Sequence, residues 1–299
     1  MGASPSSRLL IAGIGILAVL VGSGCTGRPS SNSVVWTKAW SDTFAGPAGS
    51  PPDARYWEYD RGVGVFGTGE VETMTSAPTN VHLDGQGDLD ITPLDSGSAW
   101  TSARIQTKNN KFVAPAGGEM MVTASIKQPD PAAGLGYWPG FWMLGNGVWP
   151  AHGEVDILED VNALGSNSGT LHCGNLTQRN PDGTFGPCHE SDGQSSGLRT
   201  CSGCESGYHT YSVIMDRRNE ADQQIRWYLD GKEYFSVSES KVGTAAWAEA
   251  VDHGFSIILD VAIGGSYPNV QCGCKTPTSQ TSPGATMSAQ YVSVYTTMG

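Results

Sequence analysis

The stretch Glu154-Val-Asp-Ile-Leu-Glu159, inside Gly147-Val-Trp-Pro-Ala-His-Gly-Glu-Val-Asp-Ile-Leu-Glu-Asp160, decides how the rest of the chain is read. Val155, Ile157 and Leu158 favour a strand. On a strand, alternate side chains point to opposite faces. Glu154 and Asp156 then share one face, and Val155 and Ile157 take the other. Strict alternation would put Leu158 beside the acids and turn Glu159 toward the core. One extra residue, a β-bulge at Ile157-Leu158, returns Glu159 to the acidic face. A helix would not do this, because offsets of two and five do not share a helical face. Three carboxyls on one surface cannot all stay ionised, so at least one pKa is expected to rise. An ionised carboxylate beside a protonated carboxyl is what cleavage of a glycosidic bond needs. The same residues also suit a solvated acidic loop, or a metal site in which His152, Glu154 and Asp156 alternate. The flanks decide between these.

Composition narrows the choice. The chain has 299 residues, 15% of them charged, with 40 Gly, 17 Pro, nine Trp and ten Tyr. That is a turn-rich, aromatic-rich β composition. The net charge of −12 repels nucleic acid and anionic lipid headgroups and leaves a neutral polymer as a compatible partner. No internal repeat, heptad or second-domain linker is present.

Residues 1–24 read as an export signal: Arg8 supplies the positive charge, and Leu9 to Val21 the apolar core. Gly22-Ser-Gly-Cys25 resembles the cleavage site of a bacterial lipoprotein, which would lipidate Cys25; Gly22 stands where Leu is usual. An ordinary cleaved signal is the alternative. Residues 25–34 are Ser/Pro/Gly-rich and read as a tether, leaving 35–299 as a single domain. Cys173, Cys188, Cys201, Cys204, Cys272 and Cys274 form an even set in an exported chain, which implies disulfides. Spacing does not choose among the pairings. The other reading is a zinc site of Cys201, Cys204, Cys272 and Cys274.

Strands are expected at Asp88–Leu94, Ala103–Thr107, Glu119–Lys127, Phe255–Ile263 and Ser288–Thr296, with a hairpin turning at Asp230-Gly231. Residues 244–250 read as a short helix capped by Thr244. Residues 174–207 form a long Gly/Ser/Asn-rich insertion with cysteines near its ends, where disulfides would limit its disorder. Short strands, many turns and alternating faces argue for an all-β sandwich of two antiparallel sheets.

Trp138-Pro-Gly-Phe-Trp-Met-Leu144, then Trp149-Pro150, then Gly153-Glu-Val-Asp-Ile-Leu-Glu159 resemble the active-site region of glycoside hydrolase family 16. The similarity is strongest to its laminarinase-like endo-β-1,3-glucanases. Thr101–Thr107, Tyr208–Tyr211, Ile225–Gly231, Leu259–Gly265 and Tyr291–Tyr295 continue it in the family's order, from about residue 35 to 296. The resemblance implies a concanavalin-like jelly roll with a cleft across the concave face. It implies that Glu154 is the nucleophile, Glu159 the acid/base, and Asp156 a hydrogen-bonded partner of Glu154, giving a retaining mechanism with the carboxyls about 5–5.5 Å apart.

It further implies substrate contacts from Trp142, Trp149, Arg104 and His172. Trp138 is expected on the cleft wall. Glu70 is a further expected substrate contact, in a loop that resembles the family's Gly-rich loop with Thr68 in place of a common Asn. No cofactor is needed. Some relatives hold a structural calcium through an Asp that is Gln290 here, which argues against the ion. The expected partner is a β-glucan, the expected state a monomer, and the expected location extracytoplasmic. The competing readings are a lectin-like glucan binder, which typically lacks the acids kept here, and a same-fold hydrolase or transglycosylase for mixed-linkage glucan or galactans.

Overall fold

A computed structural model describes residues 35–64, 66–109 and 111–298. The signal segment 1–24 and the tether 25–34, Cys25 included, lie outside the described residues. Among the described residues no helix is long and apolar enough to cross a membrane.

Two large antiparallel sheets pack face to face as a jelly-roll sandwich. The first runs, in spatial order, Lys232–Ser238, Gln224–Leu229, His209–Asp216, Glu119–Lys127, Met287–Thr296, Leu89–Ile91 and Val81–Leu83, with Thr37–Asp42 also paired to Met287–Thr296. The second, called here the acidic sheet, runs Gln194–Ser195, Ser166–His172, Glu154–Glu159, Tyr137–Gly145, Phe255–Ile263, Arg104–Thr107 and Trp57–Asp60. A small third sheet includes one parallel pair, Thr73–Met74 with Trp100–Ser102.

Alternation explains the core. Val122, Ala124 and Ile126 of one sheet, and Ile105, Phe141, Val155, Ile257 and Leu259 of the other, are fully buried. Apolar burial is the main force holding the layers together. Phe255–Ile263 is nearly continuous in burial and lies mid-sheet, paired with a strand along each edge.

Several expected elements differ in detail. The strand expected over Asp88–Leu94 is split into Leu89–Ile91 and Leu94–Asp95, and the break falls at Thr92-Pro93, where proline has no N–H for a ladder. Thr244 begins its helix instead of capping it; Gly243, at φ +90°, occupies the cap position without a side-chain bond. The cysteines pair as Cys173–Cys188, Cys201–Cys204 and Cys272–Cys274, so the four-thiolate zinc reading fails. Gln290 accepts a hydrogen bond from Ser125 Oγ at 2.9 Å and offers no carboxylate for a calcium ion.

Candidate active site

The bulge forms where the acids require it. Against Tyr137–Gly145, Leu158 pairs with Phe141 and Asp156 with Trp142, leaving Ile157 unmatched. Against Ser166–His172, Asp156 pairs with Thr170 and Glu159 with Ser168. Val155, Ile157 and Leu158 are all fully buried, while Glu154 and Glu159 stay partly exposed. A bulge disrupts the ladder and leaves backbone groups in need of partners. The Trp227 indole, from the facing sheet, donates to the Asp156 carbonyl at 2.7 Å. Gly169 makes room for it, since a Cβ there would lie 2.5 Å from Trp227 Cδ1. The kink that aims Glu159 is thus braced across the core.

Glu154, Asp156 and His172 converge. His172 Nε2 lies 3.8 Å from Glu154 Oε1 and 3.5 Å from Asp156 Oδ2. The expected Asp156–Glu154 hydrogen bond is not formed; Asp156 Oδ2 is buried without a hydrogen-bond partner among the described residues and faces the imidazole. The alternating set of His152, Glu154 and Asp156 does not assemble either, because His152 packs on His253, with ring centroids 5.6 Å apart. Behind His172, Glu190 Oε2 lies 2.7 Å from Nδ1. Trp149, 39% exposed, leans on the same imidazole at 5.6 Å.

Burial pushes all three acids up. For Glu154, the charge of Glu159 adds to burial, and His172 and Arg104 oppose both. Asp156 is raised furthest, by burial and then by its two glutamate neighbours. Glu159 is raised by burial and held back by His172 and by hydrogen bonds from Trp138 and Ser168. Burial alone would lower His172, but its bond to Glu190 and the charges of Glu154, Asp156 and Glu190 raise it to about 10.

Glu159 has its own frame. Trp138 Nε1 donates to Glu159 Oε1 at 3.0 Å, and Ser168 Oγ lies 3.4 Å from Oε2. Tyr267 stands edge-on to Trp138, with centroids 5.8 Å apart, and burial beside Glu159 lifts its phenol to about 12. Trp138 therefore holds the acid.

Along the acidic sheet, Arg104 is 8% exposed, with Nε donating to Asp60 at 2.9 Å. Its guanidinium lies 4.2 Å from the Phe66 ring centroid and 4.5 Å from that of Trp142. Trp142 Nε1 donates to Asp260 Oδ1 at 2.8 Å, and burial lifts Asp260 to about 6. Trp142 stays partly exposed, so it is a fixed platform with one ring face against a cation. Glu70 is buried at 6% and accepts from the Thr68 hydroxyl.

The fold is shared with known proteins. The family model described as XgeA-like, catalytic GH16 domain matches residues 89–215. A solved endo-1,3-β-glucanase from Streptomyces sioyaensis is 38% identical, with a TM-score of 0.81, over 92% of this chain and 100% of its own. The chain belongs to glycoside hydrolase family 16. It is by class an O-glycosyl hydrolase. Among other relatives, glucan endo-1,3-β-glucosidase A1 of Niallia circulans is 29% identical over 283 residues, 86% of this chain; the chain spans 37% of that protein's length. A β-glucanase of Rhodothermus marinus is 27% identical over 269 residues, 86% of each chain.

Phe66, Glu190, Asp260 and Tyr267 of this family 16 site escaped the sequence reading. Asp260 carried a signal, being the lone charge inside the apolar run Phe255–Ile263. The others lie in loops, in turns or on a short helix, where side-chain periodicity says nothing.

Proposed function

We propose that this chain is a retaining endo-glycoside hydrolase that cleaves β-1,3-glucan of the laminarin type. One observation carries the reading: the bulge at Ile157 sets Glu154, Asp156 and Glu159 on a single face while Val155, Ile157 and Leu158 stay in the core. The names of the relatives, several of them endo-1,3-β-glucanases or laminarinases, support the choice of polymer.

In this reading Glu154 attacks the anomeric carbon. The nearby imidazolium and Arg104 favour its ionised form. Glu159, kept protonated by burial, gives its proton to the leaving oxygen and then takes one from the water that releases the glycosyl-enzyme. Asp156 lies buried beside the nucleophile and limits how much negative charge the cluster holds. Trp149 and Trp142 present ring faces to sugar C–H surfaces. Arg104, His172, Trp138 and Glu70 line or hold the cleft around them. The many carboxylates of this face disfavour sulfated or uronic polymers. No cofactor takes part.

The protein is proposed to act as a monomer outside the cytoplasm, secreted or held by a lipid on Cys25. The signal-like residues 1–24 and three disulfides support that location.

The test is a product profile on laminarin, mixed-linkage glucan, xyloglucan, agarose and galactan. Reducing-sugar release from laminarin with internal cleavage is expected. Release from a galactan alone would replace the substrate, and binding without release would leave a lectin.

A further inference from the structure

The insertion of residues 174–207 reaches into the acidic site through one side chain, Glu190. Its carboxylate is fully buried, and both oxygens are engaged: Oε1 accepts from the Cys173 backbone N–H at 2.8 Å, and Oε2 lies 2.7 Å from His172 Nδ1. The loop carrying it is tied down on several sides. Glu190 exchanges two backbone hydrogen bonds with Phe185, at 2.7 and 3.0 Å. Cys188 is bonded to Cys173, next to His172 itself. Gln194 donates to the Pro187 carbonyl at 2.9 Å. Gly193, at φ +70°, comes down on the imidazole so closely that a Cβ would stand 2.4 Å from Thr170 Cγ2 and 3.1 Å from His172 Nδ1. So fixed a carboxylate loses little entropy in meeting its partner.

The imidazole has carboxylates on both nitrogens. Glu190 faces Nδ1; Glu154 and Asp156 face Nε2, with Glu159 further along the same strand. Trp149, which leans on the ring, is uncharged. A neutral imidazole can donate from only one nitrogen. Ionised acids on both sides favour the cation.

We infer that Glu190 is a positioning residue: the insertion supplies it to hold His172 doubly protonated, with the Nε2–H aimed at Glu154 and Asp156. The inference rests on the proposed roles of Glu154 and Glu159 and adds what the insertion contributes to them. The cation steadies Glu154 as a carboxylate before attack and again when it leaves the glycosyl-enzyme.

Glu190→Gln separates this role from simple support of the loop. The Gln oxygen can still accept from Cys173 N–H, while its amide NH2 faces Nδ1 and forces the neutral ring. Solvent protons can restore the cation at low pH but not at high pH. The wild-type to Glu190→Gln ratio of kcat on laminarin should therefore be within about threefold at pH 5 and rise to about tenfold or more at pH 8. KM should change little. His172→Gln should be at least as impaired, and the double variant no worse than His172→Gln alone. A constant ratio across pH, a wild-type rate, or additive losses would each overturn the inference.

Nitrogen-15 NMR of His172 provides a readout without substrate. The wild-type ring should remain an imidazolium at pH 8, and the variant ring should titrate at least about one unit lower. A neutral wild-type ring at pH 8 refutes the proposal even if Glu190→Gln does not fold. Were no glucan cleaved at all, the proposed function would fail and this NMR titration alone would decide the role of Glu190.

Discussion

Arg104 and His172 sit on the same acidic sheet, and each faces a group of carboxylates. Around Arg104 the guanidinium is paired with Asp60 and closed between Phe66 and Trp142. Around His172 the imidazole touches Glu154, Asp156 and Glu190 and has no second cation beside it among the described residues. Arginine keeps its charge at every accessible pH. Histidine can lose its proton, and the acids around this one raise its pKa. The first region is built to stay fixed and carry an aromatic platform. The second is built so that charge can move. On the proposed function, the contrast puts binding at one end of the face and bond-breaking at the other.

The sharpest way to break that division is to remove the acids of the His172 end. Glu154→Gln and Glu159→Gln should each lower kcat on laminarin by about a thousandfold or more, with folding intact. Residual activity near wild type would place the chemistry elsewhere. The next effect concerns stability at the Arg104 end. Glu72 is 1% exposed, and burial lifts its carboxyl from 4.5 to about 8, although the Ile263 N–H donates to it at 2.8 Å. A raised carboxyl favours folding below its unfolded value and loses that contribution as pH climbs through the folded one. Glu72→Gln should therefore match wild type near pH 4 and be more stable by on the order of 2–4 kcal/mol at pH 9, read by urea melts. Equal stability at both pH values would mean the carboxyl is not held protonated.

Arg104→Lys keeps the charge but loses the planar stack. It should raise KM about tenfold while kcat stays within about threefold. A collapse of kcat instead would erase the division between the two ends. The smallest effect is expected from Trp138→Phe, which removes the N–H donated to Glu159. That bond favours the ionised acid, so its loss should move the alkaline limb of kcat/KM upward by less than about one unit. A downward move would show that Glu159 is not the proton donor.

Much of this site was legible before any coordinates. The Glu154–Glu159 strand needed a bulge because, without one, an acid would enter the core in exchange for Leu158. The structure places Ile157 as that extra residue. The hairpin at Asp230-Gly231 was marked by its turn chemistry, and the long strands at 119–127 and 255–263 by their apolar patterns. What sequence could not show depends on contacts between distant segments. Glu190 meets His172 only because residues 174–207 fold back under a disulfide. Phe66 meets Arg104 from a Gly-rich loop with no periodicity. The Asp156–Glu154 bond was implied by the family resemblance, yet His172 of the neighbouring strand comes within 3.8 Å of Glu154 and 3.5 Å of Asp156 instead.

The account stands or falls on double displacement by Glu154 and Glu159. Proton NMR of the first sugars released from laminarin reads this directly, before mutarotation mixes the anomers. The β-anomer appearing first is the predicted result, and initial release of the α-anomer would contradict it.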